Sequence, residues 1–239
     1  MCWLLLHYQP TTLFSLRTSL ATSSVGRSLI IPTPYAIKMA FVDAAFRAGW
    51  PDDKCRNLVK DLASVEVRMK PGDDSVVSQT IQKIRQEQRK ERGGEELYIS
   101  SVAYREIVFV SGKWTWAFNV GDKEDLSNKL SSLAPVVNYV GKRGSMLQFS
   151  YSERVDVLDE RFFSVPMLKL RGELPCRMHI ATLDDFGPEA TFEYLNSFDP
   201  SKKPKKDKHR VLVETLIPAG ITNFGPGFTQ YSMGSYRAW

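Results

Sequence analysis

The segment from Thr33 to Pro51, TPYAIKMAFVDAAFRAGWP, leaves the chain little choice. A threonine followed by proline is a helix start. The hydroxyl caps an early amide, and proline at the first helical position gives up no hydrogen bond. Ile37, Ala40, Phe41, Ala44, Ala45 and Ala48 then recur on one helical face. Gly49 and Pro51 end the helix. Its alanines let it lie close against a flat neighbour, which predicts a sheet beneath it. The apolar run CWLLLHYQ at 2–9 supplies a first buried strand.

Most of the remaining chain reads as strands. KCRNLVKDLAS at 54–64 predicts a short second helix, and VEVRMK at 65–70 alternates like a strand. The polar stretch from Pro71 to Glu96 has few apolar residues and both signs of charge, so a solvated helix or a loop is expected, ending at Gly93-Gly94. LYISSVAYREIVFV at 97–110 and KWTWAFNV at 113–120 flank Gly112 and predict a hairpin. Leu126, Leu130 and Leu133 mark a capped helix over 122–133. VVNYV and SMLQFS flank the turn Gly141-Lys142-Arg143-Gly144. PMLKLRGE, CRMHIATL and VLVETLIP predict further strands, with the basic run SKKPKKDKHR between the last two. The order of elements predicts an α+β domain built on a sheet.

The chain has 239 residues, enough to bury a sizeable core, and its 43% hydrophobic and 25% charged residues are ordinary for a globular protein. Lysine and arginine number 32 against 27 acidic residues, a net charge of +5 that permits a polyanion partner without requiring one. Cys2, Cys55 and Cys176 have no metal-ligand spacing, and three scattered thiols fit a reducing compartment rather than a disulfide framework. The start MCWLLLHYQP lacks a basic region ahead of its short apolar run, so no signal peptide is expected. No segment approaches the length of a membrane span. The chain reads as cytosolic, with no membrane partner.

Motifs for metal, nucleophile or nucleotide chemistry are missing: there is no CxxC, HExxH, GxSxG or phosphate-binding Walker loop. His7 and His179 sit in apolar strands and are expected as packed core residues, whereas His209 falls in the lysine run and is expected to be solvated. Asp184-Asp185 is expected to cap the turn before Phe186-Gly187 rather than hold a metal.

Four features point toward a polyanion. The loop between the first strand and the first helix offers Arg17, Thr18, Ser19, Thr22, Ser23, Ser24, Gly26, Arg27 and Ser28. Cations and hydroxyls of this kind position phosphates without reading bases. The helix start that follows adds its dipole and amides, provided it stays accessible. An ordinary surface loop would look the same. Lys142 and Arg143 between glycines form either a phosphate-approaching turn or a plain basic hairpin. The lysines of 202–208 would add salt-sensitive attraction at most. Phe224, Phe228, Tyr231 and Tyr236 stand among glycines, where they could stack bases or tuck into the core. Trp114 and Trp116 are either interface anchors or buried hairpin residues. Residues 82–92, QKIRQEQRKER, read as a solvated helical face or a partner-facing arm.

LLLHYQPTTLFSLR followed by SVGRSLIIPTPYAIKMAFVDAAF resembles the opening of CRISPR-associated RAMP proteins, of the Cas-five type that caps one end of a type I Cascade-like complex. The tail FGPGFTQYSMG is similar in character to the glycine-rich loops of that superfamily, and GKRGSMLQF to its basic mid-chain segment. The resemblance implies a ferredoxin-like (RRM-like) α+β fold with an antiparallel sheet. It implies one RAMP-type domain over 1–239, a protruding β-hairpin thumb within about 60–112, and C-terminal strands with a glycine-rich tail over about 160–239. It also implies an RNA-binding structural subunit that holds the 5′ handle of the CRISPR RNA and contacts the backbone and large subunits, meeting target DNA only indirectly. No cofactor is implied. Some relatives cut precursor RNA with a tyrosine, lysine and histidine cluster that cannot be placed on this sequence, so binding without cleavage is expected. The alternatives are a metal-independent ribonuclease acting on repeat RNA and a protein-interaction module with no RNA role.

Overall fold

The structure is a computed structural model and describes residues 2–19, 26–87, 98–170, 177–196, 199 and 201–234. Strand β1 (Trp3–Pro10) leads through a long loop to helix α1 (Pro34–Arg47). Thr33 caps α1 as the sequence predicts: its side chain accepts from the Ala36 N–H at 3.1 Å, and Pro34 opens the first turn. Gly49 follows the helix at φ +74°, a conformation glycine adopts without strain. Helix α2 (Asp52–Ala63) and strand β2 (Val67–Lys70) come next.

The expectation for the polar stretch is overturned. Strand β3 (Asp74–Glu87) pairs along its whole length with β4 (Tyr98–Ser111). Residues 88–97, with the Gly93-Gly94 end, lie outside the described residues. The physical reason is that a long antiparallel ladder satisfies the backbone by itself. Only the base of this hairpin needs apolar side chains, and Val77 and Val108 are buried there. The hairpin predicted across Gly112 is overturned too. Strand β5 (Trp114–Asn119) leaves β4 and pairs with β1 and β2. Gly112 makes the corner at φ +79°, where a Cβ would meet the Asp73 carboxylate at 2.5 Å.

Helix α3 (Glu124–Leu133) buries Leu126, Leu130 and Leu133 as its spacing predicts, but Lys123 at its N-terminus gives no side-chain cap. Strand β6 (Leu147–Val155) completes the first sheet, whose order is β2-β5-β1-β6, all antiparallel. One strand–helix–strand unit (β1, α1 and α2, β2) is thus interleaved with a second (β5, α3, β6). The inner face carries Leu4, Leu6 and Tyr8 beside Trp114, Trp116 and Phe118, all buried. Phe41 of α1 packs edge-on to Phe118 at 5.3 Å, so the helix lies on the sheet as its alanine face predicts. Trp114 and Trp116 are therefore core residues rather than interface anchors.

After β7 (Val165–Pro166), a short 3-10 turn at Met167–Lys169 replaces most of the strand expected at PMLKLRGE; residues 171–176 lie outside the described residues. Strand β8 (His179–Phe186), the one-turn helix α4 (Phe192–Leu195) and strand β9 (Arg210–Ile217) follow. A three-stranded sheet, β7-β9-β8, docks on α1. The hairpin of β10 (Ala219–Gly225) and β11 (Phe228–Met233) extends the β3–β4 pair into a sheet of order β10-β11-β3-β4. Asp185 Oδ1 does accept from the Phe186 N–H at 2.7 Å, but within a strand rather than at a turn, and Asp184 makes no such contact. They lie in β8 and pair with Arg210 and Lys38. His209 is not solvated: it is buried, stacked on Tyr194 at 3.8 Å, and its Nδ1 accepts from the Lys205 N–H at 3.0 Å. His7 is buried as expected, and His179 is half-buried. No helix among the described residues is long and apolar enough to cross a membrane.

Candidate nucleic-acid interface

The loop after β1 is not a free flap. Phe14 and Val108 exchange both backbone hydrogen bonds at 2.8 Å, and Gly26 does the same with β4 through Tyr104 O and the Glu106 N–H. The loop therefore extends the outer edge of β4. Gly26 and Ser28 are structural within it. A Cβ on Gly26 would meet the Arg105 guanidinium at 2.9 Å. The Ser28 N–H donates to Glu106 Oε2 at 2.7 Å, while its hydroxyl accepts from the Leu16 N–H and donates to Leu29 O.

The turn at 141–144 packs against the same loop. The Thr12 hydroxyl donates to Gly144 O at 2.6 Å, and the Ser15 N–H donates to Ser145 Oγ at 3.2 Å. Gly141 needs its glycine, since φ is +75° and a Cβ would already touch Leu16 at 3.4 Å. Gly144 carries no such demand; a Cβ there would meet nothing.

These contacts bring Arg17 and Arg143 to one cleft of about 450 Å³ at the head of α1. Arg210 is the third arginine of its lining, and Asp43 and Asp184 are its carboxylates. Arg210 is tethered. Its guanidinium bonds the buried Asp184 at 2.6 and 2.8 Å, donates to Ser19 Oγ at 3.0 Å, and covers the Tyr35 ring at 4.8 Å. Tyr35 has its hydroxyl pKa raised by burial and by Asp184, with Arg210 pulling the other way. Tyr139 lies between Asp43 and Arg143. Burial and the Asp43 carboxylate hold its hydroxyl protonated, opposed by Arg143. Asp43 is also paired with Arg47 at 2.8 Å. Three arginines against two carboxylates leave the cleft cationic, and guanidinium forks with two tyrosines suit a phosphate and its sugar.

The helix terminus contributes less than its sequence suggests. Pro34 has no N–H, the Ala36 N–H is held by Thr33, and the Ile37 N–H donates to Thr33 O. What remains there is mainly the dipole of a 14-residue helix.

The other predicted residues scatter. Lys142 is exposed on the turn beside Arg143. Thr18 is half-buried, its N–H donating to Arg27 O at 3.3 Å; Arg27 and Ser19 are exposed. Thr22, Ser23, Ser24 and Tyr236 lie outside the described residues. Phe224, at 76% exposure, and Phe228 stand on the β10–β11 hairpin. Phe228 is opposite Ser78 of β3, so β3 and β4 separate it from the loop, about 14 Å at sheet spacing. Sequence reasoning missed Tyr35, Tyr139 and Arg210. Arg210 closes the basic run, and only its position opening a strand after His209 could have set it apart.

The chain is thus a mixed α/β protein of antiparallel sheets and few helices, with an arginine-lined cleft where its first loop, its first helix and its mid-chain turn meet. No family model and no curated protein matches the sequence. Solved structures match its fold. A CRISPR protein from Archaeoglobus fulgidus superposes with a TM-score of 0.51 at 14% identity, over 98% of this chain and 93% of that one. A chain of a CRISPR RNA-guided surveillance complex gives 0.45 at 16% identity, over 90% of each chain. At this identity the first likeness is one of fold.

Proposed function

We propose that the protein is an RNA-binding structural subunit of a type I, Cascade-like CRISPR surveillance complex, of the Cas-five type. It holds the 5′ handle of the CRISPR RNA and caps the backbone filament, touching the backbone and large subunits. The observation that carries this reading is the meeting of Arg17 and Arg143, remote in sequence, in one cleft beside α1. The fold shared with a CRISPR protein supports it. So does the β2-β5-β1-β6 strand order, which is that of the ferredoxin-like split βαβ arrangement. In this reading the β3–β4 hairpin, inserted between β2 and β5, serves as the thumb. In this reading the arginines neutralise handle phosphates, and unstacked bases turn outward to aromatic side chains.

The test is charge reversal at Arg17 and Arg143 in the assembled complex. CRISPR RNA copurifying with it, measured by absorbance ratio and RNA extraction, should fall while circular dichroism of the subunit stays native. Full RNA retention with a native spectrum overturns the reading.

Cleavage of repeat RNA is a second reading with one observation in its favour. The His179 ring lies edge-on to Tyr231 at 5.1 Å, burial lowers the His179 pKa, and Tyr231 feels both Arg27 and Glu106. An imidazole beside a phenol that itself faces a cation can serve acid–base chemistry. Incubating the protein with repeat RNA in chelator decides it. Site-specific products that disappear in His179→Asn establish cleavage; intact RNA rejects it.

A further inference from the structure

The first sheet has a second face, and among the described residues it is only half covered. Leu158 and Phe163 seal Trp3, Leu5 and Ala117 at one end. Toward the other end, one row crosses all four strands: Lys70 of β2, Thr115 of β5, His7 of β1 and Tyr151 of β6 are successive partners in the ladder. On a pleated sheet such partners point to the same side.

The row is prearranged. Both His7 nitrogens are held, Nδ1 by Thr115 Oγ1 at 3.0 Å and Nε2 by Glu153 Oε1 at 2.9 Å. Its ring stacks on Tyr151 at 4.1 Å with planes 17° apart. Tyr151 is nevertheless 48% exposed. Two lysines come from the β5 and β2 side of the pair: exposed Lys113 has its ammonium 5.3 Å from the Tyr151 ring centre, and Lys70 lies 5.6 Å from the ring of Phe162. The neighbouring Arg68 is committed to Glu66 and Glu160, while Lys113 and Lys70 both act electrostatically on His7.

A half-exposed aromatic ring stacked on the sheet, with one ammonium beside it and a second farther along the row, matches the needs of a nucleobase and its phosphates. A protein partner would be better served by a contiguous apolar patch, and this row is polar and cationic around one ring. We propose that this uncovered half of the sheet is a second contact for single-stranded RNA, separate from the arginine cleft. Tyr151 stacks a base, His7 fixes the ring from behind, and Lys70 and Lys113 hold phosphates. The inference rests on the RNA-binding reading above and adds a site to it.

Binding of the full chain to labelled oligoadenylate, followed by fluorescence anisotropy at low and higher salt, tests it. Tyr151→Ala should weaken binding roughly tenfold, the scale of one base–aromatic stack. Tyr151→Phe should keep wild-type affinity. Lys70→Glu with Lys113→Glu should flatten the salt dependence, and this arm remains decisive if Tyr151→Ala fails to fold. Arg17→Glu with Arg143→Glu is measured in parallel. If that pair abolishes binding while the Tyr151 and lysine variants bind like wild type, the sheet face is no RNA contact and the cleft reading stands. If the wild-type chain does not bind, both fall. A photoreactive side chain at position 151 that crosslinks only protein within the assembled complex makes this face a subunit interface and overturns the inference.

Discussion

Lys38 is the least expected residue of the core. It lies on α1 with no solvent exposure, and its Nζ meets Asp185 Oδ1 of β8 at 2.7 Å. Burial lowers the lysine pKa and raises that of the aspartate, while each charge pulls the other back toward its ionised form. The pair thus ties the C-terminal sheet to α1, and its two halves are not equivalent. Asp185 keeps 23% of its side chain in solvent; Lys38 keeps none. Removing one partner of a buried pair costs about 3–5 kcal/mol. Asp185→Asn strands a fully buried ammonium and should fall in that range. Lys38→Met leaves a carboxylate that can still reach water, so its cost should be smaller, about 2–3 kcal/mol. The double variant replaces both charges and should recover most of the loss. At about 2–4 °C per kcal/mol for a chain of this size, thermal unfolding separates these cases. Urea titration at neutral pH gives the coupling term. Strict additivity would mean that the two groups do not act as a pair. An Asp185→Asn variant milder than Lys38→Met would mean that exposure does not set the asymmetry. Either result refutes the reasoning.

Two further outcomes are expected. Gly141→Ala places a side chain at φ +75° against Leu16, so it should destabilise by about 1–2 kcal/mol and, on the proposed reading, weaken RNA binding by displacing Arg143; unchanged melting and binding would show that the turn relaxes without cost. Stability should also fall on acidification below about pH 6.5, because burial holds His7 and His179 below that unfolded value and the unfolded chain takes up protons first. Asp185 acts in the opposite sense at lower pH, since its raised pKa makes the folded state the better proton acceptor. Replacing His7 by Gln should shallow the slope between pH 7 and 5.5, a window chosen around the free imidazole value, and an unchanged slope would remove His7 from the account.

What the sequence made legible was local. The cap, the alanine face and the glycine stop of α1 are all written within one segment, and the helix forms where they place it. Arg17 and Arg143 could be picked out as cations in a loop and a turn. Their meeting could not, because it depends on the β1–β6 register and on contacts such as Thr12 with Gly144. β3 was illegible for a different reason. A strand stabilised mainly by its partner's backbone need not alternate, and its mixed charges imitate a helical face. The departure of β5 from β4 hangs on one glycine corner, and nothing near Gly112 distinguishes a hairpin turn from a change of sheet. His209 was misread because Tyr194, a separate segment, supplies its burial.

β6 is where the cleft and the sheet face come together. The turn carrying Arg143 runs directly into it, and Tyr151 stands four residues past Leu147, about 14 Å along the strand. β6 is an edge strand with β1 as its strand neighbour in the sheet, and residues 150–154 are exposed throughout. Left bare, such an edge invites pairing with another chain's strand. Here it reads SYSER, with hydroxyls and charges in place of apolar side chains, and Arg154 leans on Asn128 of α3 at 3.2 Å. A polar, guarded edge argues against strand addition from a partner and for contact through side chains. On the proposed RNA-binding reading, a single strand leaving the cleft rounds this edge and reaches Tyr151 without displacing any element of the fold.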